Sequence, residues 1–185
     1  MLEIVVPKSE LYDENLKQFV IVDETRIEIE HSLAAVSKWE SKWHKPFLQL
    51  GVGQQEKTYE ELIDYIRCAT VTKDVNPLIF LNLTEDNLKQ IADYMNDKMT
   101  ATWFSEDKNK ASKSREIITS EIIYYWMVAL NIPFECQYWH LNRLLTLIRV
   151  CDEKNQPSKK MSKRDVMKRN KALNASRRKA HHTRG

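Results

Sequence analysis

Glycine is scarce in this sequence. There are three glycines and five prolines in 185 residues, too few for the many tight turns of a β-sandwich or barrel. No GxGxxG and no GxxxxGK[ST] is present, so the Gly-rich cradles that hold nucleotide phosphates are missing. Cysteine is limited to Cys68, Cys136 and Cys151, an odd number with no CxxC pair. A disulfide scaffold is therefore not expected, and a reducing compartment is. Long apolar runs are missing too. The longest, Ile122 to Ile132, is interrupted only by Asn131 and falls short of the roughly 18 residues of a membrane span. The N-terminus has no basic stretch followed by an apolar one, so no signal peptide is expected and no membrane partner.

What is present is an ordinary globular composition, 42% hydrophobic and 30% charged, at a length suited to one domain. The net charge of +3 conceals a split. From Lys154 to Gly185 seven lysines and five arginines face Asp165 alone, a net +11. Residues 1–153 carry seventeen basic and twenty-five acidic residues, a net −8. The expected organisation is one globular domain over 1–153, β-rich over 1–30 and helical over 31–153. A basic arm follows over 154–185, disordered or helical on binding.

The pattern along the chain predicts an α+β fold, mostly α. Leu2 to Val6, Phe19 to Val22 and Arg26 to Glu30 read as short strands, the last two joined by a hairpin loop at Asp23 to Thr25. About five helices follow. The first spans Ser32 to Trp43 and ends before Lys45-Pro46. Thr58 and Glu61 form a capping box for Tyr59 to Cys68. Thr84 caps Glu85 to Met95. Residues 105–115 are polar and loop-like. Ile117 to Leu130 is apolar nearly all round and reads as the central buried helix, and a last core helix covers Cys136 to Cys151. Ser162 and Asp165 suggest a capping box for a further helix over Lys163 to Lys179, which has few apolar residues.

Few constellations suit chemistry. Cys136 and His140 stand four apart, the spacing of a shared helix face, but no second ligand pair completes a zinc site and no nucleophile elbow accompanies them. Two buried thiols and a partnered histidine is the plainer reading. Glu121 in the apolar helix, and Glu135, are expected in ion pairs with Arg115, Arg143 or Arg149. No catalytic residue, metal or cofactor is assigned, and the chain is read as a non-enzyme. Trp39 and Trp43 stand out among the five tryptophans as candidate partner contacts beside a core role. In the arm, Lys159, Lys160, Lys163, Arg164, Lys168, Arg169, Arg177 and Arg178 suit phosphates, an acidic protein surface, or simple solvation. An open edge among the N-terminal strands would permit homo-oligomers by strand addition.

Three stretches carry a family likeness: Glu30-His-Ser-Leu-Ala-Ala-Val-Ser-Lys-Trp-Glu40, Ile118-Thr-Ser-Glu-Ile-Ile-Tyr-Tyr-Trp-Met-Val-Ala-Leu-Asn-Ile-Pro-Phe-Glu-Cys136 and Trp139-His-Leu-Asn-Arg-Leu-Leu-Thr-Leu-Ile-Arg149. With Lys160-Met-Ser-Lys-Arg-Asp165 they span most of the chain, which resembles the tail assembly chaperones of tailed bacteriophages. The resemblance implies a protein that binds the tape-measure protein, keeps its apolar helices soluble and helps recruit tail-tube subunits. It also implies work in the host cytoplasm, with the protein absent from, or minor in, the virion. Two other readings stand beside it: a nucleic-acid-binding phage protein using the basic arm, and a structural tail or baseplate component of the virion.

Overall fold

The computed structural model describes residues 1–13, 17–48, 57–104, 117–155 and 163–181. The chain divides into two compact units, Met1–Asp152 and Glu153–Gly185. Among the described residues the architecture is α+β and mostly helical, with four N-terminal antiparallel strands ahead of the helices.

The strands are β1 (Leu2–Val6), β2 (Ser9–Asp13), β3 (Gln18–Val22) and β4 (Thr25–Ile29). The expected hairpin across Asp23 to Thr25 does not form. β3 pairs with β2, and β4 pairs with β1. The register runs on without slipping: Val6 faces Thr25, and beyond Pro7-Lys8 and Asp23-Glu24, Ser9 faces Val22. The four strands thus form one long ribbon with a break. Pro7 cannot donate a ladder hydrogen bond, and Lys8 pairs with Asp23 at 3.4 Å beside the gap. The break also resets the pleat. Ile4, Val6, Ile27 and Ile29 face the core before it, and Leu11 and Val22 pack there after it. The edges of the inner ribbon are occupied. Val71 N donates to Glu28 O at 2.8 Å and Glu30 N to Ala69 O at 2.9 Å along β4, while Asn87 Nδ2 donates to Val5 O at 3.2 Å on β1.

Five helices of the first unit follow the expected order. In α1 (Leu33–Trp43) Ser32 is the N-cap, and His44 closes the helix in a left-handed conformation. In α2 (Tyr59–Ala69) the Thr58–Glu61 capping box forms as read, satisfying two otherwise orphaned N–H groups. Thr84 caps α3 (Glu85–Asn96), with Asn87 completing the box. A 3-10 turn over Pro77–Leu81 joins α2 to α3.

The remaining two differ from expectation. α4 covers only Ser120–Ala129, and it is not buried all round: Ser120, Ile123 and Met127 are its buried residues. Cys136 belongs not to a helix but to a 3-10 turn over Phe134–Tyr138, and α5 runs from Leu141 to Asn155. Pro133 cannot continue the ladder of α4, and α5 starts only after His140. The buried carboxylate of Glu40 locks these pieces together. It accepts hydrogen bonds from Phe47 N and Ser120 N, each at 2.7 Å, tying α1 to the start of α4.

The second unit contains α6 (Lys163–His181), which has no buried residue. Asp165 lies in its first turn and Arg178, Lys179 and His181 in its last, the arrangement that complements the helix dipole. The proposed cap Ser162, the arm residues Lys159 and Lys160, the loop 105–115 and Arg115 lie outside the described residues.

Candidate protein-binding surface

A dense polar cluster of the interior is built where three elements meet. Leu141 N donates to His31 O at 2.7 Å, which sets the His31 and His140 rings in an edge-to-face pair 5.2 Å apart. The Tyr65 hydroxyl is hydrogen-bonded to Nδ1 of His31. His140 Nε2 lies 3.0 Å from the carbonyl of Tyr94, and Asn142 Nδ2 donates to Met95 O at 3.0 Å and Asp97 O at 2.7 Å. These bonds close the C-terminal end of α3. Burial, reinforced by the neighbouring His140, pulls the pKa of His31 down to about 3, so its imidazole is neutral at ordinary pH. Burial also drives the Tyr65 phenol well above its usual range. Tyr65 is 1% exposed and His31 4%. No substrate reaches such groups, so the cluster is a satisfied interior network.

The other candidates for chemistry separate. His140 is absorbed in its contact with Tyr94, while burial raises the pKa of the Cys136 thiol. A raised thiol pKa is opposite to what a nucleophile needs. Glu121 is exposed on α4 rather than buried, because the helix turns that face outward. Arg143 lies over the Trp139 ring at 4.3 Å, and Arg149 over Phe104 at 3.8 Å. Among the described residues, no group of three or more His, Cys, Asp or Glu could hold a metal ion, and no helix is long and apolar enough to cross a membrane.

Of the candidate binding residues, Trp39 belongs to the core. It is 1% exposed, its Nε1 donates to Glu61 O at 2.8 Å, and its ring packs on Trp43 and Phe47. Its place on the inner stripe of α1, one turn from Val36, accounts for this. Trp43 sits half-buried at the rim of a groove of about 360 Å³, with Tyr59, Ile63, Arg67 and Leu81. Its Nε1 donates to Asp64 Oδ2 at 2.9 Å, and Lys42 pairs with the same carboxylate. Lys163, Arg164, Lys168, Arg169, Arg177 and Arg178 all stand exposed on α6.

The sequence reading missed an apolar surface on α4. Tyr125 and Val128, one turn apart on the outer face of α4, are 68% and 58% exposed. Tyr124 continues the patch: its ring lies 6.2 Å from that of Phe134, and its hydroxyl donates to Gln137 at 2.8 Å. Phe134 and Tyr138 are exposed beyond it. Beside this face, α4 and α5 enclose a groove of about 470 Å³. Trp126, Ala129 and Leu130 form one wall, and Leu145 and Ile148 the other, with Arg149 and Asp152 at one end. An apolar trough between two helices, ending in charged groups, has the form that accepts the apolar face of an amphipathic helix. Exposed aromatic clusters of this kind mark interaction sites.

No family model, curated protein or solved structure matches this chain.

Proposed function

We propose that this protein is a non-enzymatic assembly chaperone or scaffold that holds an apolar partner helix in the groove between α4 and α5. The partner, on the resemblance noted above, is the tape-measure protein of a tailed bacteriophage, and tail-tube subunits are recruited to the same assembly. The work takes place in the host cytoplasm. The observation that carries the reading is the apolar α4, which leaves Tyr125 and Val128 in solvent beside a trough lined by Trp126, Leu130, Leu145 and Ile148. Leaving so much aromatic surface wet is unfavourable for an isolated domain and is offset when a partner covers it.

Co-expression with a phage tape-measure protein, followed by pull-down, tests the reading. The expected result is co-purification of the native chain and loss of it on Ala129→Arg. Ala129 is exposed and lines the groove, so arginine fills the trough without entering the core. Failure of the tape-measure protein to co-purify with the native chain rejects the proposal. Stoichiometric presence in purified virions, read by mass spectrometry, would instead favour a structural tail component.

A further inference from the structure

The face of α6 asks for a different partner. At 3.6 residues per turn, Lys163, Arg164, Lys168, Lys171, Arg178 and Lys179 fall within an arc of about 160°. Val166, Leu173 and Ala180 lie on the other side, with Arg169 and Arg177. Arg164 to Arg178 spans about 21 Å of helix axis, over which a nucleic-acid duplex carries about twelve phosphates. Between these cations stand Met167, Asn174 and Ala175, with no aromatic side chain. Protein interfaces are depleted in lysine and anchored by aromatic residues, and single-stranded nucleic acids are held by stacking on aromatic rings. The basic face of α6 offers neither anchor. It offers what a duplex backbone uses: closely spaced cations, and amide side chains that can donate to phosphate oxygens.

From this charge complementarity we infer that α6 binds the phosphate backbone of double-stranded nucleic acid, without sequence preference, through Arg164, Lys168, Lys171 and Arg178. The inference is independent of the groove on the first unit. Like charges one turn apart, as in Arg164 and Lys168, repel in the free helix, and phosphates relieve that repulsion. Bound α6 therefore gains helix stability at low salt.

The test is fluorescence anisotropy of the full chain with a labelled random-sequence 20-base-pair duplex, at 50, 100 and 200 mM KCl. Four neutralised phosphates give a log–log salt slope of about −3.6, which weakens binding roughly a hundredfold between 50 and 200 mM. The variant K168E/K171E/R178E, with its helicity checked by circular dichroism, is expected to lose at least tenfold in affinity and most of the slope. A control, K73E/K89E/K98E, makes the same change in net charge at exposed lysines of the first unit and is expected to stay within threefold of the native chain. Three results would overturn the inference: no salt-dependent binding at 50 mM, equal losses in both variants, or competition by polyglutamate as strong as by unlabelled duplex. The last would make an acidic protein surface the target.

Discussion

His31 carries the clearest consequence at the scale of single residues. Its imidazole is neutral in the fold, with a pKa lowered to about 3 from an ordinary 6.5. The unfolded chain binds a proton below about 6.5 and the folded chain does not. The stabilisation is therefore complete above pH 6.5 and is lost as pH falls from there towards 3. Between pH 7 and pH 5 the loss amounts to about 2 kcal/mol. Glu61 works in the same direction but in a lower window, its contribution lost only at more acidic pH. A hydrogen bond from Lys45, with the Thr58 backbone, holds its carboxyl below 4.5, so its contribution persists until pH falls through that range. Urea unfolding at pH 7 and pH 5 thus separates the histidine from Glu61. His31→Phe is expected to flatten the difference, though it also leaves the Tyr65 hydroxyl without its hydrogen-bond partner and lowers stability at both pH values. An unchanged pH dependence in the variant would count against a neutral buried His31. At Glu40 the two carboxylate oxygens each accept a buried backbone N–H. Glu40→Gln turns one acceptor into a donor facing an N–H, and is expected to cost about 2–3 kcal/mol by the same measurement.

Among the elements, α4 behaves least as its composition suggests. Met127 is fully buried and Val128, its neighbour, is mostly exposed. Met127→Ala is therefore expected to cost about 2–4 kcal/mol, while Val128→Lys stays within about 0.5 kcal/mol; thermal unfolding of the two variants decides. A central buried α4 would make both severe. The contrast also shows what a sequence can and cannot disclose. The ends of α2 and α3 are legible because Thr58 with Glu61, and Thr84 ahead of acidic residues, act on backbone groups three positions away. The buried side of α4 is not legible, because a helix apolar all round has no periodic contrast to read. Strand pairing fails for a related reason. Arg26 to Glu30 follows Phe19 to Val22 closely, which suggests a hairpin, but partners are chosen across the whole ribbon by inner faces such as Ile4 with Ile27. β2 escapes notice because Ser9, Glu10 and Asp13 are polar. The basic face of α6 is readable because charge and helical spacing are both local. The groove is not, since Trp126 and Ile148 meet only through the packing of two helices.

At the scale of the whole molecule, an acidic first unit and a basic second unit differ in chemistry. The first offers aromatic surface and an apolar trough, and the second offers cations with nothing to bury. On this account the two units take different partners, an apolar helix and a polyanion, and each is lost by substitutions that spare the other. On the proposed function, the α4–α5 groove holds the partner helix. Hydrogen–deuterium exchange of the full chain, with and without the tape-measure protein, tests it most directly. The account predicts slowed exchange over 120–130 and 141–152 in the complex. Protection confined to 163–181, with α4 and α5 unchanged, would contradict it.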